Sequence, residues 1–311
     1  MLKTVIYIIT ALAAFVLAFS YVGFRMSCVL SERERANTTG FPKGAQYEEV
    51  RPLLSRMIRE ADELPYEPVE VKSFDGLTLE GRLYRRDPSA PVEIMFHGYK
   101  GSAVRDFSGG IKMVLDRNMN AIVITERGHG GSSGNCLTFG INERQDVLTW
   151  VNFAVKEFGP DVKIIIAGIS MGGATVLMAS DLDLPENVKG IVCDCGYTSP
   201  EAIIKKVIGD MKLPASLVYP FVRLGAKLYG GFDLNSHTAI DAVKKCRVPV
   251  YFIHGTDDRY VPYEMGVENY NACNTKKWLF TVEGAGHGLC FIKDRDGYDK
   301  LFNEFLKETV G

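Results

Sequence analysis

The chain has 311 residues, 46% of them hydrophobic and 24% charged, with a formal net charge of −2 at pH 7. This balance is that of an ordinary globular protein, and it excludes the strongly basic surface with which proteins bind nucleic acids. The sequence contains no internal repeat, low-complexity tract or metal-ligand spacing. Its seven cysteines are odd in number and scattered, which favours a reduced compartment, and Cys193 and Cys195 are predicted to be buried thiols.

The first apolar segment, residues 4–24, contains 21 residues without a charge. As a helix it would extend about 31 Å, close to the thickness of the hydrocarbon core of a bilayer. A cleaved signal peptide is the alternative, but the apolar run is too long for one and no small-x-small cleavage site follows it. We therefore predict a transmembrane anchor within residues 1–28, with the bilayer as the partner of residues 4–24. Because a uniformly apolar helix has no polar face, we expect it to project from the rest of the chain with few contacts.

Positive charges flank this segment unequally. Lys3 precedes it, whereas Arg25, Arg33, Arg35 and Lys43 follow it. The positive-inside rule then favours a cytoplasmic position for the rest of the chain, in agreement with the scattered thiols, and the opposite orientation stays open.

Residues 29–66 are polar and are predicted to be a juxtamembrane stalk. After a loop that contains Pro42 and Gly44, residues 47–64 repeat apolar side chains at helical spacing. This helix could pack on the domain that follows or lie against the membrane, and the sequence leaves both arrangements open.

Residues 67–311 alternate apolar strand-like runs with helical patterns. The predicted strands are residues 68–72, 78–84, 92–96, 120–125, 162–167, 189–194, 248–253 and 278–282. Strands that alternate with helices predict a mainly parallel sheet with right-handed crossovers and helices on both faces. Phe74-Asp75-Gly76 separates the first two strands and is typical of a hairpin turn. The prediction is one α/β domain built on eight strands.

One serine lies at the tip of a strand-turn-helix pattern. Gly168-Ile169-Ser170-Met171-Gly172 joins a β-branched run to a helical segment rich in small residues. This context is typical of a nucleophile elbow, in which larger side chains two residues before and after the serine would collide with neighbouring backbone. Residues 130–134, which include Ser132, also fit G-x-S-x-G, but no helix opens there, so we predict that Ser170 is the nucleophile.

A serine nucleophile needs a base and a carboxylate that orients the base. After two of the late strands the chain supplies Asp257-Asp258 and then His287, a histidine flanked by glycines that suit a tight loop. Either aspartate could serve by position. The other four histidines are predicted to be structural, since none follows the acid in chain order: His97, His129, His237 and His254.

Five motifs together carry a family resemblance. They are HGYKGS (97–102), ERGHGGSSG (126–134), GISMGG (168–173), HGTDDRYVP (254–262) and GAGHG (284–288). In this order and spacing the chain resembles the α/β-hydrolase superfamily over residues 68–309. Within the superfamily it is most similar to the serine-aminopeptidase-like, BEM46-like branch of esterases and lipases.

The resemblance implies roles for individual residues. It makes Asp258, the first residue of a D-x-x-V-P motif, the acid in preference to Asp257. The backbone N–H of Met171, at the start of a helix, is one predicted oxyanion donor. The resemblance implies Tyr99, which follows a His-Gly pair, as the second donor, although its phenol could instead cover the pocket.

The segment 197–235 interrupts the regular alternation of strands and helices. It is apolar and aromatic, contains two prolines and is long for an ordinary crossover, so we predict a small helical cap over the site. An ordinary crossover helix with a long loop is the alternative. The cap residues predicted to line an acyl pocket are Leu213, Leu217, Tyr219 and Phe221.

The resemblance implies a serine hydrolase that cleaves carboxylic esters of small molecules through an acyl-enzyme, without a cofactor or a metal. Two alternatives remain open. A peptidase that removes N-terminal residues would need a carboxylate for the free amine, such as Glu201, Asp210 or Asp233, and a catalytically dead fold would act as a binding protein. The oligomeric state is not predicted. Because all the motifs lie after residue 90, we expect a chain without residues 1–28 to stay active.

Overall fold

The structure is a computed structural model that describes residues 1–36, 40–41 and 44–311. Pro42 and Lys43, which entered the expectations above, lie outside the described residues. Eight strands form one sheet in the described chain: β1 (Glu67–Lys72), β2 (Thr78–Tyr84), β3 (Val92–Phe96), β4 (Asn120–Ile124), β5 (Ile164–Ile169), β6 (Val188–Asp194), β7 (Val250–Gly255) and β8 (Lys277–Val282).

The sheet has the order β1-β2-β4-β3-β5-β6-β7-β8. The β1–β2 and β2–β4 pairs are antiparallel, and every later pair is parallel. The predicted eight-stranded α/β sheet is confirmed, and so is the turn between β1 and β2, where Gly76 has φ 85°. Strands β5 and β7 begin and end two residues later than predicted, because their pairing continues to the residues that precede the site.

The helices connect these strands and extend the chain at both ends. They are α1 (Leu2–Cys28), α2 (Glu32–Ala36), α3 (Arg51–Asp62), α4 (Ala103–Asp106), α5 (Ser108–Asp116), α6 (Glu143–Phe158), α7 (Met171–Ala179), α8 (Pro200–Asp210), α9 (Ala215–Gly225), α10 (Ala239–Val243), α11 (Tyr263–Ala272), α12 (Cys290–Lys293) and α13 (Arg295–Thr309). A short 3-10 turn covers Ala45–Tyr47, and a wider helical turn, Ala226–Gly230, continues α9.

Each face of the sheet has its own core. Helices α6, α7 and α10 cover one face, where Trp150 packs with side chains such as Ile94 and Ile166. Helices α5 and α13 cover the other face, where Phe302 packs with side chains such as Met95. Because adjacent strand residues point to opposite faces, Ile94 and Met95 enter different cores, as a doubly covered parallel sheet requires.

Helix α1 is the one helix of the described chain that is long and apolar enough to cross a membrane. Its first half is exposed, as expected, but the expectation of few contacts is wrong for its second half. Ser20, Phe24 and Cys28 are buried at a spacing of four residues. Ser20 and Phe24 pack on α9 and the wider turn after it, and the Cys28 carbonyl accepts a hydrogen bond from the Leu137 N–H. The apolar sequence did not exclude this contact, because the face of α9 that meets α1 is itself apolar and needs no polar partner.

Residues 45–62 pack on the α/β domain rather than standing free, which is one of the two arrangements left open above. Tyr47, Val50, Leu54 and Ile58 form a small third core with Leu289, and α3 contacts α5. The N-terminal segment therefore reaches the loop that follows β8.

Candidate active site

Ser170 occupies a strained backbone position between β5 and α7. It has φ 57° and ψ −114°, which a residue other than glycine rarely adopts. A Cβ atom at Gly168 would collide with the carbonyl oxygen of Gly172, and one at Gly172 would collide with that of Phe96. The two glycines are therefore required by the close approach of β3, β5 and α7, and the turn presents the Ser170 side chain above the ends of the parallel strands.

The loops after β7 and β8 bring Asp258 and His287 together. Nδ1 of His287 lies 2.7 Å from Oδ2 of Asp258, while Oδ1 of Asp258 accepts hydrogen bonds from the backbone N–H groups of Tyr260 and Val261, both at 2.9 Å. Burial alone would raise the pKa of Asp258, but the charges and hydrogen bonds of His287 and His254 hold it well below its usual range. The neighbouring Asp257 is exposed to solvent.

Ser170 and His287 line the same cavity. In the described ranges no hydrogen bond joins Ser170 Oγ to the imidazole, whose Nε2 has Cys195 Sγ as a neighbour at 4.0 Å. Catalytic hydrogen bonds of this kind are often long without substrate and tighten when substrate binds. The geometry therefore contains an acid–imidazole pair beside a serine at the tip of a sharp turn.

Cys195, Asp258 and His287 also have potential ligand atoms within 4.8 Å of one another. They fit a metal poorly. Burial raises the pKa of the Cys195 thiol far above its usual range, so that it stays protonated, and a bound metal would have to displace the Asp258–His287 hydrogen bond.

The predicted oxyanion donors lie on two elements that meet at Ser170. Met171 is the first residue of α7. The loop after β3 approaches so closely that a Cβ atom at Gly98 would lie 3.2 Å from that of Ser170, and the Gly98 N–H donates to Asp106 Oδ2 at 2.9 Å. Tyr99, the next residue, lines the cavity, and its hydroxyl donates to the carbonyl oxygen of Ser27 at 2.9 Å.

The cavity has a volume of about 530 Å³, within the range of small-molecule sites. Its walls are mostly apolar and include the end of α1, the side chains of Phe41, Tyr47 and Leu54, helix α8 and the loops around Ser170 and His287. The cap contributes Ile203, Ile204, Val207, Ile208 and Met211.

The prediction that Leu213, Leu217, Tyr219 and Phe221 line this cavity is wrong. Leu213 and Leu217 are exposed, with 45% and 66% of their surface accessible. Tyr219 is buried within the cap, where its hydroxyl bonds to Asn235, and Phe221 packs edge-on against Phe19 of α1. Helix α9 turns its apolar side to α1, so α8 takes the place over Ser170.

Two residues that hold the histidine loop were missed by the sequence motifs. Oε1 of Gln46 accepts a hydrogen bond from the His287 N–H at 3.0 Å, and the Tyr47 hydroxyl donates to the His287 carbonyl at 3.1 Å. Both lie in the 3-10 turn 45–47, inside the segment predicted to be a stalk. Only the helical spacing of residues 47–64 hinted that this segment packs on the domain.

Residues judged structural from sequence have structural contacts. Ser132 is buried, donates to the Thr125 carbonyl at 2.6 Å and accepts from the Glu80 N–H at 2.9 Å. His97 accepts from the Glu126 N–H through Nε2 at 3.1 Å, and burial lowers its pKa to about 3. His129 is buried beside His97. His254, also expected to be structural, lies closer to the site than expected: its Nε2 is 3.3 Å from Oδ2 of Asp258.

Comparison with known proteins places this arrangement in context. Residues 94–217 match a family described as the alpha/beta hydrolase fold. Protein bem46 of Schizosaccharomyces pombe is 25% identical over 252 residues, which cover 79% of this chain and 78% of bem46. The uncharacterized protein YqkD of Bacillus subtilis is 27% identical over 195 residues, 62% of this chain and 64% of YqkD, so less than two thirds of that relative is matched.

Among solved structures, the Pyrococcus furiosus esterase Pf2001 superposes with a TM-score of 0.63. It is 21% identical, and the match covers 89% of this chain and 99% of the esterase. At this identity the likeness establishes the fold.

Proposed function

The chain belongs to the α/β-hydrolase superfamily, and on that basis we propose that it is a serine hydrolase that cleaves carboxylic esters. The observation that carries the proposal is the 2.7 Å pair of Asp258 and His287 in the cavity that Ser170 enters from its strained turn. A serine, a buried acid and an imidazole in this chain order are the parts of a nucleophilic triad.

In the proposed reaction, Ser170 Oγ attacks the ester carbonyl while His287 takes its proton. Asp258 fixes the tautomer of the imidazole and stabilises the imidazolium that forms. The backbone N–H groups of Met171 and Tyr99 bind the developing oxyanion. His287 then protonates the leaving alcohol, and water attacks the acyl-enzyme in the reverse sequence to release the acid.

The charges of the cap argue against the peptidase alternative. Glu201, Asp210 and Asp233, the candidate anchors for a free amine, each pair with lysine or arginine on the cap itself. The carboxylates that line the cavity are Glu34, which pairs with Lys100 at 2.8 Å, and Asp106, which pairs with Arg105 at 2.7 Å. An apolar acyl group fits these walls better than a charged N-terminus does.

We also propose that α1 anchors the protein as a single membrane span with the domain on the cytoplasmic side. Its exposed first half and its length support the span, and the excess of arginines after it, Arg25, Arg33 and Arg35, supports the cytoplasmic side. The protein should then remain in the membrane fraction after a high-salt wash.

Labelling with a fluorophosphonate tests the proposed function, because only an activated serine reacts. The wild-type protein and the Ser132→Ala variant should be labelled, and Ser170→Ala should not. p-Nitrophenyl esters of increasing acyl length, assayed beside aminoacyl-nitroanilides, then separate esterase from peptidase activity. A labelled Ser170→Ala protein, or turnover of the nitroanilides alone, would overturn the proposal.

A further inference from the structure

The cap and α1 form one continuous apolar surface outside the domain. Helix α9 runs antiparallel to the end of α1: Gly23 lies against Val222, Ser20 lies against Gly225, and the Tyr229 hydroxyl donates to the Leu17 carbonyl at 3.1 Å. The cap adds further exposed apolar side chains to this surface, namely Leu213, Leu217 and Leu228. A soluble domain rarely exposes so many large apolar residues on neighbouring helices.

The length of α1 sets the depth of this surface in a bilayer. A hydrocarbon core of about 30 Å takes about 20 helical residues, so the charge-free run that begins at Thr4 ends near Gly23. Tyr229 is level with Leu17 and therefore lies inside that boundary. A tilted helix would need more residues to cross, which would place the cap deeper.

The mouth of the cavity lies just outside this boundary. Met26, Val207 and Met211 line the cavity and are also exposed, with 59%, 46% and 52% of their surface accessible. Met26 comes about three residues after the end of the span, roughly 5 Å along the helix, which is the depth of the lipid headgroups. Its neighbour Arg25 is exposed and can reach the headgroups with its long side chain.

We propose that the cap lies in the bilayer interface beside α1, and that the cavity takes the acyl ester of a bilayer lipid, which enters between α1 and α8. The inference rests on the proposed function for its chemistry. Ser170 Oγ bonds to the acyl carbon and its proton passes to His287; the bond between the acyl carbon and the lipid alcohol then breaks, and the alcohol leaves with that proton. Water cleaves the acyl–Ser170 bond, which releases a fatty acid and returns the proton to Ser170. The apolar rim lets the acyl chain pass from lipid to cavity without crossing water.

The position of the cap is tested without catalysis. Full-length protein carrying Leu228→Trp is reconstituted in phosphatidylcholine vesicles with and without brominated lipid, and its tryptophan fluorescence is corrected for that of the wild type. Leu228 precedes Tyr229, which is level with Leu17, and 52% of its surface is accessible. Leu53 is also exposed, at 37%, but lies on α3, so Leu53→Trp is the matched control. Brominated lipid should strongly quench the added fluorescence of the Leu228→Trp protein and weakly quench that of the Leu53→Trp protein. Equal quenching of both variants would overturn the position of the cap.

The substrate class is tested in the same vesicles with a fluorogenic glycerolipid ester and, separately, soluble p-nitrophenyl butyrate. The double variant Leu217→Asp/Leu228→Asp should lower turnover of the vesicle ester at least tenfold and leave butyrate turnover and fluorophosphonate labelling unchanged. Leu53→Asp should change none of them. Wild-type protein that cleaves the butyrate but not the vesicle ester would overturn the substrate class alone. Wild-type protein that is not labelled and cleaves neither substrate would mean that the proposed function has failed.

Discussion

At the scale of single residues, two adjacent aspartates have opposite environments. Asp258 is buried and bonded to His287, whereas Asp257 is exposed. Asp258→Asn should lower kcat on the order of 10⁴-fold, because an amide can hold the imidazole in the wrong tautomer. Asp257→Asn is the matched control and should leave kcat nearly unchanged. Steady-state kinetics on a p-nitrophenyl ester measures both, and a larger loss in Asp257→Asn would reverse the assignment of the acid.

We expect Gln46 to act on catalysis through the loop that carries His287, because its side chain accepts a hydrogen bond from the His287 N–H. Removal of its acceptor in Gln46→Ala should lower kcat about tenfold with little change in KM, the effect of roughly one hydrogen bond. Gln46→Glu keeps an acceptor for the His287 N–H and should restore most of the rate. Glu48→Ala, on the next turn and paired with Arg51, is the control. Equal losses in all three variants would show a structural effect of the segment rather than positioning of His287.

At the scale of elements, the sequence predicts the features that a local pattern of residues determines. The runs that form β2 and β3 begin and end at the predicted residues, because β-branched and apolar residues flanked by turns leave few alternatives. The elbow at Ser170 follows from local sterics. The packing partner of α9 does not follow from a local pattern, because an apolar stripe indicates that a helix face is buried but not which element buries it. Gln46 and Tyr47 contact residues about 240 positions away, which no local pattern records.

The packing of α1 on α9 gives a prediction from two glycines. A methyl group at Gly225 would meet the Ser20 carbonyl and Phe24, whereas one at Gly209 of α8 would meet open space. Gly209→Ala should raise the free energy of unfolding by about 0.5–1 kcal/mol through helix propensity. Gly225→Ala should lower the melting temperature despite the same propensity gain. Thermal unfolding in detergent micelles measures the difference, and equal stabilisation by both changes would mean that the two helices do not pack closely.

Strand β3 carries a buried carboxyl group that makes stability depend on pH. Burial raises the pKa of Glu93 to about 8, and Oε2 is without a hydrogen-bond partner in the described chain. Between the unfolded pKa of about 4.3 and the folded value, the unfolded chain releases a proton that the native chain keeps, so stability falls as pH rises through this window. Glu93→Gln removes this dependence. In denaturant unfolding, the free energy of unfolding of the variant minus that of the wild type should therefore be larger at a pH of about 8 than at about 5. A difference that is the same at both pH values would contradict the buried neutral acid.

At the scale of the whole molecule, the N-terminal segment is part of the site. Met26 and Ser27 line the cavity, Tyr99 bonds to the Ser27 carbonyl, and the Leu137 N–H donates to the Cys28 carbonyl at 2.8 Å. The expectation that residues 1–28 can be removed without loss of activity therefore no longer follows. Helix α1 and the α/β domain both contribute walls of the cavity, so removal of the end of α1 opens the cavity.

Two truncations separate anchoring from catalysis. Deletion of residues 2–14 removes only exposed residues of α1 and should weaken retention in the membrane fraction while keeping at least half of the turnover of a soluble p-nitrophenyl ester. Deletion of residues 1–28 should lower that turnover at least tenfold, because it removes one wall of the cavity and exposes the apolar face of α9. Circular dichroism of both proteins separates a lost wall from a lost fold. Full activity in the longer deletion would show that the end of α1 contributes nothing to the site.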